Sequence, residues 1–155
     1  MSVYPKPVVE KILFTTTNIV LAATHVDGDV LGGRLSANFA QRGSWGGILD
    51  SIRVNDIAAV GNTIDVYVFD DAPTVFADDA VFAPVDADLR HLIYKTSIAA
   101  WTAMGANVSY AEDINIDVAF DLRNGLYFYI VLNDATPSAY GAGGLEMAVR
   151  FRRTG

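Results

Sequence analysis

The sequence predicts an all-β protein, an antiparallel β-sandwich that is jelly-roll-like, with about eight strands and one short helical insert. In several short runs, apolar residues alternate with polar ones, which is the two-residue period of a half-buried strand. Asp-Gly, Gly-Gly and Asn-Gly pairs separate these runs at fairly regular spacing. The strand–helix–strand rhythm of a parallel sheet is missing from the pattern.

The chain length predicts a single domain, which we assign to residues 8–155 of the 155-residue sequence. Hydrophobic residues make up 52% and charged residues 19%, which argues against disorder. Residues 1–7 form a predicted extended arm, because Pro5 and Pro7 fix φ and remove two N–H donors. This arm is either a frayed terminus or a contact with a neighbouring subunit, and the second interpretation places Tyr4 and Lys6 at an interface.

Composition excludes several functions and argues against others. The net charge of −7 disfavours a general nucleic-acid-binding protein, which needs clustered Lys and Arg. The chain has no cysteine, so disulfides, cysteine nucleophiles and thiolate metal sites are excluded. Residues 1–7 lack the apolar core of a signal peptide, and the apolar run 19–23 is too short to span a bilayer. We therefore expect a soluble protein with no nucleic-acid or membrane partner.

The first part of the chain reads as strands joined by glycine turns. Residues 8–17 are a predicted first strand, and 19–24 are its continuation or a second strand, because β-branched threonines favour a pleated surface. Residues 27–33 carry Asp-Gly and Gly-Gly turn signals. Residues 34–40 form another predicted strand. Trp45, in the loop that follows, either covers the local core or contacts a partner.

The middle of the chain holds two predicted strands and an acidic connection. Residues 46–54 form one strand, ended by a turn at Asn55-Asp56. Residues 63–69 form the other, and their alternation puts Ile64, Val66 and Val68 on one face.

Eight aspartates lie between Val54 and Leu89, with no Lys or Arg among them. Asp78-Asp79-Ala80 and Asp86-Ala87-Asp88-Leu89 each resemble the first turn of a helix, where carboxylates accept free backbone N–H groups. We expect one or two helical turns in this connection.

In the last third of the chain, the residue pattern predicts a strand at 92–100 and a loop or sheet edge at 101–110. Residues 114–132 read as a hairpin with its turn at Asn124-Gly125. Its return strand is apolar on both faces, which predicts a central strand or one covered on both sides. Residues 145–152 alternate again and form the predicted last strand.

The sequence gives little evidence for an enzyme active site. It contains two histidines, His25 and His91, but no Gly-x-Ser-x-Gly motif that would supply a serine nucleophile and no His-x-His pair that would bind a metal. We therefore interpret both histidines as structural or surface residues. The aspartate pairs fit caps and solvated turns, with a calcium or intersubunit contact as an alternative and glycoside hydrolysis as a further one. They do not have EF-hand spacing. We predict no enzyme activity, no cofactor and no metal.

Five segments, taken together, resemble the capsid decoration, or cement, proteins of tailed bacteriophages. They are 28–33 (GDVLGG), 46–54 (GGILDSIRV), 64–74 (IDVYVFDDAPT), 76–80 (FADDA) and 86–89 (DADL). The resemblance covers roughly residues 27 to 152 and rests on the order and spacing of the segments.

The resemblance implies a β-sandwich that binds the major capsid protein on the outside of the phage head. It also implies a homo-oligomer, either trimer or dimer, a location on the capsid exterior of the virion, and assembly in the host cytoplasm. It supplies no catalytic or contact residues. The alternative function is a receptor- or carbohydrate-binding module of a head or tail fibre, because the loop aromatics can stack on sugar rings. These aromatics are Trp45, Trp101, Tyr110 and Tyr140.

The candidate interface residues combine the arm, two loop tryptophans and a basic end. Arg150, Arg152 and Arg153 are opposite in sign to the acidic block from Asp56 to Asp88, and we expect one to meet the other, or a capsid patch, across a subunit interface. The full set is Tyr4, Lys6, Trp45, Trp101, Arg150, Arg152 and Arg153.

Overall fold

The computed structural model describes residues 9–21, 24–37, 46–121, 125–140 and 144–154. Within these residues the chain forms ten strands and one short helix. They are β1 (Val9–Phe14), β2 (Leu35–Ala37), β3 (Gly46–Asp56), β4 (Ile64–Phe69), α1 (Asp86–Leu89), β5 (Leu92–Ile98), β6 (Thr102–Ala103), β7 (Ser109–Asp113), β8 (Val118–Asp121), β9 (Leu126–Leu132) and β10 (Leu145–Thr154). The predicted arm at 1–7, and Trp45 with it, fall outside the described residues.

The strands form two antiparallel sheets that pack as a sandwich. The first sheet has the order β1-β10-β3-β7-β6, with β8 also paired to β3. The second has the order β2-β9-β4-β5. The predicted all-β sandwich is therefore confirmed.

The pairing scheme is that of a jelly roll. The innermost pair along the sequence is β4 with β5. Each further pair encloses the one before it: first β3 with β7 and β8, then β2 with β9, and last β1 with β10. Such nested antiparallel pairs, alternating between two sheets, arise when one long hairpin is rolled up into a double sheet.

The core lies between the sheets and contains side chains from the inward face of each strand. Its fully buried members include Leu49, Ile52, Val66, Phe128 and Phe151. A second, smaller cluster lies on the outer face of the second sheet. It contains Val30, Phe69, Tyr129 and Val131.

Several sequence predictions are confirmed by this arrangement. Ile64, Val66 and Val68 share the buried face of β4. β10 alternates as expected, with Leu145, Met147, Val149 and Phe151 buried. β9 lies between β2 and β4 and is covered on both faces, as its doubly apolar pattern predicted. The predicted helical turn at 86–89 is present as α1.

The predicted hairpin at 114–132 is wrong. β8 pairs with β3 in the first sheet, whereas β9 pairs with β2 and β4 in the second. Asn115 and Asp117 have positive φ, so the run 114–117 is not extended, and the strand begins at Val118. Long-range pairing with β3 therefore overrides the local signal of alternation and a Gly turn.

Three local predictions are also corrected. The first strand ends at Phe14, because the Asn18 carboxamide oxygen accepts the Thr15 N–H at 2.9 Å and closes a turn, and Ile19 is buried outside any strand. Residues 78–79 form a turn with Asp79 at φ 68° instead of a helix. The turn expected at 55–56 lies at 57–58, because β3 continues through Asp56.

Candidate interaction surfaces

The connection between β4 and β5, residues 70–91, lies on the outer face of the second sheet, and we call it the crossover. The rings of Phe76 and Phe82 pack against Tyr129 at centroid distances of 5.7 and 5.3 Å. The Tyr129 hydroxyl donates to the Thr74 carbonyl at 2.5 Å and accepts the Phe76 N–H at 2.9 Å. Aromatic packing and these hydrogen bonds give the crossover a defined position on the sheet.

Asp88 joins the α1 turn to the start of the crossover. Its buried carboxylate accepts the N–H of Val85 at 3.0 Å and the N–H of Thr74 at 2.9 Å. Burial alone would raise the pKa of Asp88, but the hydrogen bonds from Val85 and Thr74 outweigh it, and the pKa lies below its ordinary value. The aspartate therefore acts as a cap, as the sequence interpretation proposed.

The two histidines are positioned by crossover carboxylates. His25 is buried, and its Nε2 lies 2.7 Å from Asp78 Oδ1, which also accepts the Gly32 N–H at 2.8 Å. This contact ties the turn at 78–79 to the loop before β2. His91 is exposed, and its Nδ1 lies 3.3 Å from Asp70 Oδ1.

The solvent side of the crossover combines exposed apolar groups with a carboxylate, and we call Val75, Val85, Asp86 and Leu89 the crossover surface. Val85 and Leu89 are 54% and 48% exposed and lie one helical turn apart, so they share a face. The Asp88–Thr74 hydrogen bond holds this turn next to Val75. Exposed apolar groups rimmed by charge are typical of interaction surfaces.

The outer face of the first sheet carries a second exposed group, and we call Val9, Lys11, Leu13 and Arg150 the β1–β10 surface. The first three alternate along the edge strand β1 and are exposed, while Glu10, Ile12 and Phe14 point inward. Register places Lys11 directly opposite Arg150. This cationic pair was missed by sequence reasoning, because only the register of β1 on β10 brings the two residues together.

The basic end of β10 has partners within the chain. Arg152 Nε lies 3.0 Å from Asp50 Oδ1, and its Nη2 lies 3.1 Å from Asp117 Oδ1. Arg153 Nε lies 2.6 Å from Glu10 Oε1. Neither arginine therefore projects as a free cation, while Arg150 is exposed on the β1–β10 surface. Their predicted interface role stays a prediction.

The loop aromatics differ in their availability to a ligand. Trp101 is half-buried against the core and its indole N–H donates to the Asn62 carbonyl at 3.0 Å. Tyr110 lies beneath the Arg53 guanidinium at 4.2 Å. Tyr140 is buried, so the expectation that it is a stacking group for sugars is wrong. Burial also raises the pKa of its hydroxyl.

A shallow groove of about 240 Å³ lies between the edge of the second sheet and the first, lined by residues 96–100 and 111–113. Within the described ranges, no group of three or more His, Asp or Glu side chains is arranged to hold a metal ion. No helix in the described part of the chain is long and apolar enough to cross a membrane.

Comparison with known proteins gives no family for this chain. No family model and no curated protein matches it. Among solved structures, a chain of the structure titled "Israeli acute paralysis virus heated to 63 degree - full particle" aligns at a TM-score of 0.32 with 9% sequence identity. The alignment covers 95% of this chain and 70% of that chain. At this similarity it assigns neither family nor function, and the resemblance to decoration proteins stays a prediction.

Proposed function

We propose that this chain is a structural virion protein that decorates and stabilises the outside of a tailed-phage capsid by binding the major capsid protein. The proposal includes a homo-oligomer, a position on the capsid exterior, assembly in the host cytoplasm and no catalytic role. Its foundation is the ordered run of sequence segments from residue 28 to residue 89 that resembles decoration proteins.

The placement of those segments on the fold supports the proposal. The segment 64–74 forms β4 and the start of the crossover, and 86–89 forms α1, which Asp88 ties back to Thr74. The segment 76–80 supplies Phe76, which packs on Tyr129. Three of the five segments thus build β4 and the crossover that follows it, while the segment 46–54 lies in β3 of the first sheet. Each weak contact gains from effective concentration once a symmetric oligomer engages its first site.

Copy number in purified virions tests the proposal. Mass spectrometry of particles from the phage that encodes this chain measures its amount relative to the major shell protein. A decoration protein is expected at a copy number comparable with that of the shell protein. A handful of copies would point to a fibre or tail part, and a glycan array with Trp45→Ala and Trp101→Ala would then test the carbohydrate-binding alternative. Absence from the particle would contradict both functions.

Charge reversal at the end of β10 tests which residues make the contact. Arg152→Glu with Arg153→Glu is expected to reduce capsid occupancy at least about threefold and to change its salt dependence. The reason is that cations at an interface attract the partner's negative charges, and salt screens this attraction. Both arginines also have intramolecular partners, so a matched control is required.

The control is the exchange Glu10→Arg with Arg153→Glu, which keeps the ion pair between β1 and β10 with its polarity reversed. If Arg153 contacts the capsid, the exchange lowers occupancy while leaving thermal stability close to wild type. Normal occupancy of both the exchange and the double reversal would remove these arginines from the interface.

A further inference from the structure

We propose that copies of this chain bind one another head to tail, with the β1–β10 surface of one copy against the crossover surface of the next. This inference rests on the homo-oligomer of the proposed function and names the two surfaces that meet in it. It is tested on the isolated chain in solution, so its failure is distinguishable from a failure of the copy-number test in virions. Three features carry it: an exposed like-charge pair, a complementary surface on the same chain, and the positions of the two surfaces in the fold.

The β1–β10 surface places two cations side by side. Lys11 and Arg150 are direct cross-strand neighbours and both are exposed. Like charges at directly opposed positions destabilise a sheet. Among the ion pairs between described residues, none joins either side chain to a carboxylate. A carboxylate brought by a partner would relieve this repulsion.

The same surface also presents apolar area to a partner. Val9 and Leu13 flank Lys11 on the same face of β1 and are 55% and 46% exposed. A partner that matches this row needs an apolar surface with a negative charge inside it.

The crossover surface has that chemistry. Asp86 lies between Val85 and Leu89 at the first position of α1 and is exposed, and Val75 beside them is 67% exposed. No described cation forms an ion pair with Asp86. Electrostatic complementarity therefore selects a second copy of this chain as the occupant of the β1–β10 surface.

The fold prevents the two surfaces from meeting within one chain. The β1–β10 surface lies on the outer face of the first sheet, and the crossover covers the outer face of the second. A contact between them joins different patches on two copies and is heterologous. Such contacts form a ring when the rotation closes and an open stack when it does not. A two-fold dimer through the β1–β10 surface would instead oppose four cations.

Charge exchange between two variants tests the contact. In Lys11→Glu, the new carboxylate lies opposite Arg150, so the fold is expected to be at least as stable as wild type while self-association weakens about tenfold or more in Kd. Asp86→Lys is expected to weaken self-association similarly. An equimolar mixture restores it, because Lys11 of one variant meets Asp86 of the other.

Sedimentation velocity over a concentration series measures the association, with Asn107→Glu and Asn107→Lys as controls. Asn107 is exposed in the loop between β6 and β7, and it belongs to neither surface, since β6 is the edge strand of the first sheet opposite β1; its variants are expected to associate like wild type. Wild type that stays monomeric at every concentration, or either charge variant that associates normally, overturns the proposal.

Cross-linking distinguishes the head-to-tail contact from a symmetric one. Because the chain has no cysteine, Val9→Cys and Val85→Cys each supply a single thiol on one of the two surfaces and leave Lys11 and Asp86 in place. After the two variants are mixed and treated with a short bismaleimide, the mixed product, which joins one copy of each variant, is expected to exceed both homodimers. Homodimers in excess, or no product above that of Asn107→Cys, would show that these surfaces do not meet.

Discussion

At the scale of single residues, the aspartates of the crossover have different tasks that their sequence context does not distinguish. Asp88 is buried and accepts two backbone N–H groups, Asp78 holds His25 and Gly32, and Asp86 is exposed. The sequence interpretation of caps and solvated turns covers all three, because it rests on carboxylate chemistry near chain turns. Tertiary contacts decide which carboxylate is buried, and these depend on where the crossover lies on the second sheet.

Asp88→Asn is expected to reduce the free energy of unfolding by about 1–3 kcal/mol at neutral pH, because two backbone N–H groups lose the charged acceptor that the buried carboxylate supplies. The pKa of Asp88 is lowered below 3.8 in the folded chain, so its contribution is complete above that value. The contribution is lost as pH falls through the folded pKa. Urea unfolding at neutral and acidic pH should show that the difference in free energy of unfolding between wild type and Asp88→Asn becomes smaller on acidification.

Asp86→Asn, in the same turn but exposed, is the matched control, and an equal effect of the two changes on the free energy of unfolding would contradict the role of Asp88.

At the scale of elements, the pairing of β8 with β3 is the feature least visible in the sequence. Gly47 lies opposite Phe120 in this pair, and a Cβ at Gly47 would lie 2.6 Å from the ring. The glycine pair that opens β3 predicted a strand start correctly. Its second role, making room for an aromatic ring from β8, depends on a partner that lies about seventy residues further along the chain.

Gly47→Ala is therefore expected to lower the free energy of unfolding by about 1–3 kcal/mol through overpacking against Phe120. In the Phe120→Leu background the smaller side chain removes the clash, so the same glycine change is expected to have a smaller effect. Chemical denaturation of the four proteins in this double-mutant cycle measures the coupling. Additive effects would contradict the contact between Gly47 and Phe120 in the β3–β8 pair.

Periodicity predicted most strands, because alternation reports which side of a strand is buried. β4 and β10 were located within one or two residues. Alternation does not report the partner strand, so the run 114–122 was assigned to the wrong neighbour.

The same distinction, between the face of a strand and its partner strand, applies to the candidate surfaces. Val9, Lys11 and Leu13 are recognisable as one face of a strand, but the opposition of Lys11 to Arg150 required the register.

At the scale of the whole molecule, the nested pairs set an order for folding. Phe69 pairs with Leu92, whereas Val9 pairs with Arg152 across nearly the entire chain. Because the entropy lost on closing a loop increases with its length, the inner pair is expected to form before the outer one.

Val66→Ala in β4 and Val149→Ala in β10 test this order with the same change at two fully buried positions. Stopped-flow folding kinetics should give a φ-value of about 0.5 or more for Val66 and below about 0.3 for Val149. Slowed folding in the Val149 variant, with an unchanged unfolding rate, would mean that the outer pair forms first.

The antiparallel pairing of the first strand with the last has a practical consequence. Arg152 lies beside Val9 on neighbouring strands, so the entrance and the exit of the rolled sheet share one corner of the sandwich. A short linker can join the two there, and new ends can be opened in the exposed loop at 104–107, which makes a circularly permuted chain a realistic design. Peptides fused directly before Val9 or directly after Thr154 would start at that same corner and leave the crossover surface uncovered.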